Sequence, residues 1–147
     1  MAITKKEYLE WSDIDELVLN IADDICKSSL PKFKTILAIA RGGLIPAQML
    51  AYKLGIKEVQ LLGIRSREEN GDIKHPSTIE YYGGPKLGGN VLVVDDINDS
   101  GLSFSAVENY IQLGVWYENI DVLTYAALIK RHNTNFESGH YGKLAKN

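Results

Sequence analysis

The chain contains a single cysteine, Cys26, among its 147 residues. One cysteine excludes an internal disulfide and any metal site built from several cysteines. The sequence also lacks an apolar run of the roughly 18 residues that a membrane-spanning helix requires. Its first residues, MAITKKEYLEWSD, contain no apolar stretch of signal-peptide length. These absences favour a cytoplasmic protein without a membrane span.

A large excess of charge of either sign is also missing. The formal net charge is −3, so we expect no overall attraction to nucleic acid or to anionic membranes. Hydrophobic residues make up 45% of the chain and charged residues 24%, which is the balance of an ordinary globular protein. The length is that of one domain, and we therefore predict a single domain over residues 1–147.

Apolar segments alternate along the chain with segments of helical periodicity. Ser12 precedes apolar residues at helical spacing and, with Asp15 three residues later, resembles a capping box. Gly55 and Gly114 close two further helical patterns. The predicted helices cover residues 13–26, 44–55 and 102–114, and the predicted buried strands cover residues 35–40, 59–64, 90–96 and 120–129.

Two segments lack a core pattern. Residues 65–89 are polar and rich in glycine and proline, which is typical of a functional loop, with short strand pairing expected around STIEYY. The final segment, from residue 130 onward, is polar and is predicted to be irregular.

Buried strands that alternate with helices predict an α/β fold, a parallel sheet flanked by helices on both faces. Ligands of such sheets bind at the carboxyl ends of the strands. The sequences ARGG, residues 40–43, and DDINDSGLS, residues 95–103, both follow predicted strands directly. We therefore expect them to lie at the same edge of the sheet.

The stretch VLVVDDINDSGLS combines an apolar strand with three acids and a small-residue turn. Backbone N–H groups at a helix N-terminus bind phosphate, and Gly101 permits a close approach or a positive φ. Asp95 and Asp96 could accept hydrogen bonds from sugar hydroxyls or hold a hydrated Mg²⁺. The P-loop and G-x-G-x-x-G motifs are absent. The residues themselves leave two alternatives open, a phosphate-sugar site and a structural turn.

This stretch resembles the phosphoribosyl pyrophosphate (PRPP) signature of type I phosphoribosyltransferases. ILAIARGGLIPAQMLAYKLGI resembles the pyrophosphate loop and following helix of that family, and W-S-D-I before the first helix is similar to it as well. The resemblance covers about residues 8–130 and is strongest to the bacterial xanthine-guanine and short 6-oxopurine enzymes. It implies a small hood formed by the termini, a flexible lid loop, and transfer of phosphoribose from PRPP to a base in purine salvage.

The resemblance also implies roles for the acidic motif. Asp95 and Asp96 correspond to the pair that contacts the ribose hydroxyls, directly or through a Mg²⁺ cofactor. Asp99 corresponds to the acid near purine N7 that handles a proton, which makes it the implied catalytic residue. The PRPP-binding residues implied in this way are Arg41, Gly42, Gly43, Asp95, Asp96, Asp99, Ser100, Gly101, Leu102 and Ser103.

Two further features follow from the resemblance. Arg41 begins the loop that meets the diphosphate, and in relatives the peptide before this position is often cis. Lys130 corresponds to the lysine that contacts O6 of a 6-oxopurine, with a solvated strand-end lysine as the alternative. The implied partners are PRPP and a purine base, with no nucleic acid, in a homodimer or homotetramer.

Residues 65–84 correspond to the lid over PRPP. Relatives often carry Ser-Tyr near its start, whereas this chain has Ser66 followed by Arg67. Four basic residues of this region are candidate phosphate ligands, with a merely solvated loop as the alternative. They are Arg65, Arg67, Lys74 and His75.

The implied aromatic platform for the base has no obvious counterpart. In relatives it follows the region where this sequence stops, at Asn147, and the two tryptophans, Trp11 and Trp116, lie elsewhere in the sequence. Tyr141 and Phe136 are candidates for stacking, or are simply packing anchors. Two alternatives to purine transfer are a non-catalytic PRPP or nucleotide-binding regulator and transfer to another base such as orotate.

Overall fold

The computed structural model describes residues 7–29, 32–65, 68–69, 72–73, 78–113, 117–134, 136 and 139–145. Within these ranges no helix is both long and apolar enough to cross a membrane. The helices are α1 (Trp11–Lys27), α2 (Leu44–Leu54) and α3 (Leu102–Gln112). The strands are β1 (Thr35–Ala40), β2 (Glu58–Arg65), β3 (Glu68–Glu69), β4 (Asp72–Ile73), β5 (Thr78–Gly83), β6 (Leu87–Asn98), β7 (Tyr117–Arg131) and β8 (His140–Ala145).

The described strands form a six-stranded sheet in the order β5-β2-β1-β6-β7-β8 and a separate pair, β3-β4. Neighbouring strands from β2 to β8 run parallel. β5 pairs antiparallel with β2, which confirms the strand pairing expected around STIEYY. The predicted α/β fold, a largely parallel sheet between helices, is therefore confirmed.

Helices cover both faces of the sheet, and alternate strand residues point to opposite faces. Ile36 and Leu92 pack with α1 and α2 on one face. Leu37 and Val93 pack with α3 on the other face. All six residues of β1 are buried, which explains why its sequence is a continuous apolar run rather than an alternating one.

The first helix begins two residues earlier than the capping pattern at Ser12 and Asp15 predicts. Glu10 is the N-cap, and its backbone N–H donates to Asp13 Oδ2 at 2.8 Å. The earlier start is stabilised because the Asp13 side chain, at the third helical position, accepts this hydrogen bond from the backbone of the cap residue. Consequently Trp11 is the first residue of α1.

The prediction of an irregular C-terminal segment is wrong for residues 140–145, which form β8 beside β7. As an edge strand β8 has a partner on one side only, so its sequence carries little of the apolar pattern of the central strands. Long-range contacts hold it instead: His140 Nδ1 lies 2.5 Å from Asp24 Oδ2 of α1, and Lys143 pairs with Glu7. The two ends of the described chain thus meet at this edge.

Gly142 marks the closest approach of α1 to β8. A Cβ at this position would lie 2.8 Å from Leu17 Cβ and 2.9 Å from the Leu128 carbonyl oxygen. Gly142→Ala should therefore lower the free energy of unfolding by about 1–3 kcal/mol, the usual cost of overpacking. Urea denaturation monitored by circular dichroism measures the change.

Gly139→Ala is the matched control, because a Cβ there makes only an ordinary contact with Thr124 Cγ2 at 3.7 Å. Equal unfolding midpoints for the two variants would contradict the close packing of α1 on β8.

Candidate active site

The loops that follow β1 and β6 lie side by side at the carboxyl edge of the sheet. β1 pairs directly with β6, with Thr35 opposite Val91 and Ala38 opposite Val94. β7 lies on the other side of β6, with Asn98 opposite Lys130. The sequence expectation that ARGG and DDINDSGLS share one edge is thus met by the strand order.

The Arg41–Gly43 loop presses against the end of β6. The Ala40–Arg41 peptide is cis, as the resemblance led us to expect, and the Gly43 N–H donates to the Ile39 carbonyl at 2.8 Å. A Cβ on Gly42 would overlap the Asp96 carboxylate, and one on Gly43 would overlap the Val94 carbonyl. Both glycines are therefore required by the close approach of the loop to β6.

Asp95 and Asp96 form a partly buried acid pair. Asp95 is only 7% exposed, and its Oδ1 accepts a hydrogen bond from the Asp96 N–H at 2.8 Å. Burial, together with the neighbouring Asp96 carboxylate, raises the pKa of Asp95 to about 8. A site that keeps two carboxylates so close is suited to a cation or to hydroxyl donors.

The Asp99–Ser103 turn leads into the first residues of α3. Gly101 is the N-cap with φ 81°, a conformation that favours glycine. Its carbonyl accepts from the Ser105 N–H at 3.0 Å, and Ser100 Oγ accepts from the Leu102 N–H at 3.3 Å. The first N–H groups of a helix have no intrahelical partners, so the turn presents donors together with the partly exposed Ser103.

A buried hydrogen-bond network holds this turn from behind. Asn98, which is 2% exposed, donates from Nδ2 to the Phe136 carbonyl at 2.8 Å and accepts from Thr134 Oγ1 at 2.9 Å. A Cβ on Gly101 would approach Phe136 Cβ to 2.6 Å. The turn is thereby packed against residues more than 30 positions away in the sequence.

Phe136 itself is a packing residue. Its ring centroid lies 5.6 Å from that of Phe104 and 4.7 Å from that of Tyr125. It packs against the core on the α3 face. Of the two interpretations of Phe136 in the sequence, packing anchor and stacking platform, these contacts favour the anchor.

Lys130 lies at the end of β7 beside the turn. Its Nζ is 5.4 Å from the ring centroid of Tyr141, a cation–π distance. The next residue, Arg131, places Nε 3.5 Å from Asp99 Oδ1. The acid implied to handle a proton therefore has a cationic neighbour that the sequence patterns did not indicate.

Two cavities meet at Gly42. One, of about 490 Å³, contains Gly42 together with Arg41, Arg65, Glu80 and Tyr81. Arg65 also pairs with Glu80 at 3.5 Å. With two guanidinium groups, this basic cavity is suited to an anion. Of the candidate lid ligands, Arg65 is thus at the site, whereas Arg67, Lys74 and His75 lie outside the described residues.

The second cavity is larger and mainly apolar. It has a volume of about 690 Å³ and lies between the N-terminal ends of α1 and α2, over the ends of β6 and β7. Trp11, 70% exposed, and Ile45, 50% exposed, present apolar surface there. The residues around it are Leu9, Glu10, Trp11, Ser12, Ile14, Gly42, Ile45, Pro46, Asp96 and Leu128.

The Arg41–Gly43 loop and the acidic loop after β6, side by side at one edge of the sheet, agree with a family comparison. The family model described as the phosphoribosyl transferase domain matches residues 5–112. The chain belongs to the phosphoribosyltransferase family. It is accordingly an enzyme that transfers a phosphoribosyl group.

Solved structures show the same fold. A purine phosphoribosyltransferase from Pyrococcus horikoshii is 22% identical, with a TM-score of 0.76 over 95% of this chain and 87% of its own. A xanthine-guanine-hypoxanthine phosphoribosyltransferase from Helicobacter pylori is 19% identical, with a TM-score of 0.76 over 94% and 86%. A Neisseria gonorrhoeae protein with bound ppGpp is 22% identical, with a TM-score of 0.76 over 100% and 87%. At these identities the similarity concerns the fold.

Sequence reasoning about this phosphoribosyltransferase missed Trp11, Asn98, Thr134 and Arg131 as neighbours of the site. No local motif marks the last three, because their partners are distant in sequence or lie across strands. For Trp11 a signal existed, since W-S-D-I was part of the resemblance, but its position depends on how α1 crosses the sheet. The contacts of these residues could only be read from the fold.

The raised pKa of Asp95 predicts a pH-dependent stability. In the folded protein the pKa is about 8, whereas an unfolded aspartate has a pKa of about 3.9. Between these values the folded state binds a proton that the unfolded state has lost, so stability falls as pH rises from about 4 to 8. The maximum slope is about 1.4 kcal/mol per pH unit. The Asp95→Asn variant should not show this loss, so its free energy of unfolding should rise relative to that of the parent protein as the pH increases.

Urea unfolding between pH 5 and 8 in the presence of EDTA measures this difference, since a bound cation would stabilise the ionised pair. Asp23→Asn is the control, because Asp23 is at an exposed position of α1. Its stability should have the same pH dependence as that of the parent protein. Parallel stability curves for Asp95→Asn and the parent would show that burial of Asp95 does not hold its proton.

Proposed function

We propose that this enzyme transfers the 5-phosphoribosyl group of PRPP to a 6-oxopurine, namely guanine, xanthine or hypoxanthine, in purine salvage. The observation that carries the proposal is the arrangement of the two loops. The Asp99–Ser103 turn offers helix N-terminal donors to the 5′-phosphate. The Arg41–Gly43 loop, pressed against Asp96, offers its guanidinium and amides to the diphosphate.

In this reaction a ring nitrogen of the base forms a bond to C1′ while the C1′–O bond to the diphosphate breaks. The bonding pair leaves with pyrophosphate, and the imidazole ring of the base must lose its N–H proton. Asp99 is the proposed acceptor of that proton near N7, oriented by Arg131 at 3.5 Å. The remaining contribution of the protein is to position and stabilise charge.

The acid pair is also the proposed Mg²⁺ site. In the part of the chain that the structure describes, no group of three or more His, Cys, Asp or Glu residues could hold a metal. Mg²⁺ in nucleotide enzymes, however, commonly takes one or two carboxylates together with substrate phosphates and waters. Asp95 and Asp96 fit that arrangement, because their mutual repulsion favours a neighbouring cation. Mg²⁺ bound there would neutralise the leaving diphosphate.

Lys130 supports a 6-oxopurine as the base. Its ammonium group, at the end of β7 opposite Asn98, is proposed to donate to O6, which adenine lacks. Asp99 would face N7, which pyrimidines lack. A site built to pair particular polar atoms discriminates strongly against an analogue without them.

Pyrophosphate release with PRPP, Mg²⁺ and a panel of bases tests the proposal. Guanine, xanthine or hypoxanthine should be used well, whereas adenine and orotate should be poor substrates. Lys130→Ala should reduce the preference for hypoxanthine over adenine by roughly 10-fold or more, with little change in KM for PRPP. A preference for orotate or adenine would replace the oxopurine assignment, and no release with any base would favour a nucleotide-binding regulator.

The acid pair yields a second prediction. Asp96→Asn should lower kcat roughly 100-fold or more at saturating Mg²⁺, since loss of one charge-stabilising group has costs of that order. Ser105→Ala, in the first turns of the neighbouring helix α3, should stay within about threefold of the parent because surface substitutions of this kind have small effects. Steady-state assays at several Mg²⁺ concentrations measure both variants. If the two retained similar activity, Asp96 would have no role in transfer.

A further inference from the structure

The two cavities at Gly42 have opposite character. The cavity toward β2 carries Arg41 and Arg65, whereas the cavity toward β7 is mainly apolar and opens on Asp96. In a displacement at C1′ the incoming base approaches on the side opposite the leaving diphosphate. If the diphosphate occupies the basic cavity and the ribose lies near Asp96, the base must enter the apolar one.

The apolar cavity has the properties of a site for a planar heterocycle. Its volume of about 690 Å³ is within the usual range for small-molecule pockets, which are mostly apolar with a few polar groups. Glu10 and Ser12 provide polar atoms at its rim, and Leu128 contributes apolar surface. Lys130 follows Leu128 by two residues, about 7 Å along the strand, which is within reach of a ring held there.

Trp11 supplies the aromatic surface. As the first residue of α1 it is fixed by the cap between Glu10 and Asp13, and yet its side chain is 70% exposed. Of the two stacking candidates that the sequence offered, Phe136 packs with the core on the α3 face and Tyr141 lies against Lys130. An exposed indole at the mouth of an apolar cavity is well suited to stacking.

We propose that the cavity between α1 and α2 binds the purine base and that Trp11 is its aromatic platform. This inference rests on the proposed function and deepens it, because it assigns the base to a residue of the N-terminal helix. Stacking on an aromatic side chain contributes about 1–3 kcal/mol per base in other base-binding proteins. Loss of the indole should therefore raise KM for the base roughly 5- to 150-fold and leave KM for PRPP nearly unchanged.

Tryptophan fluorescence tests the contact directly. The chain has two tryptophans, so Trp116→Phe leaves Trp11 as the single reporter. Titration of this variant with GMP should change the emission saturably, and ribose 5-phosphate, which lacks a base, should not. GMP binding seen by calorimetry without any change in Trp11 emission would overturn the platform, while absence of GMP binding would overturn the proposed function along with it.

Kinetics of three variants provide the second test. Trp11→Ala should show the rise in KM for the base, Trp11→Phe should largely restore the parent value, and Tyr52→Ala should behave as the parent. Tyr52 is a matched control because it is an aromatic residue of α2 that is 87% exposed and does not line the cavity. If oxopurines are turned over by the parent and Trp11→Ala has the same KM for the base, the platform is refuted while the transferase function stands.

Discussion

The close contact between the Arg41–Gly43 loop and the end of β6 is the constraint on which the site depends. β1 and β6 are adjacent and buried, so the loop after β1 has no room for side chains at Gly42 and Gly43. This contact holds the backbone at Gly42 against the Asp96 carboxylate. The relative position of the Arg41–Gly43 loop and the acid pair is thereby fixed by sheet packing.

The acid pair Asp95 and Asp96, at the same edge of the sheet, lowers the stability of the folded protein as the pH rises. Burial of Asp95 beside Asp96 disfavours the ionised form and raises its pKa to about 8, so the folded protein holds a proton that the unfolded chain would release. A structure selected for stability alone would gain by replacing such a group. Its presence at the carboxyl edge of the sheet agrees with a functional role, since perturbed carboxyl groups concentrate at such sites.

The central architecture was predictable from sequence because buried parallel strands leave continuous apolar runs. β1 matches the prediction residue for residue, and Gly55 ends α2 in the left-handed conformation that its position indicated. β8 was missed because an edge strand with one partner needs little apolar sequence. The cap at Glu10 was missed because the similar pattern at Ser12 lies only two residues away.

The site was predictable only where its residues lie in one motif. The contacts Asn98–Phe136 and Asn98–Thr134 join positions 38 and 36 residues apart, so no local spacing encodes them. The position of Trp11 at the same cavity as Asp96 follows from the packing of α1 across β7 and β8. Such a crossing is set by the helix and strand surfaces together and is not a property of either sequence segment.

The Asp99–Ser103 turn is held firmly by the residues behind it, but its acidic side chain, Asp99, is held only loosely. Asn98 is buried and bonded at both ends of its amide, and removal of a buried polar partner is costly. The Asp99–Arg131 pair, by contrast, is substantially exposed on both sides, and such pairs contribute little to stability. The backbone of the turn is thus fixed, whereas the Asp99 carboxylate is held only by an exposed ion pair. For the proposed transfer, a fixed backbone suits the binding of a phosphate, and a loosely held carboxylate suits the acceptance of a proton.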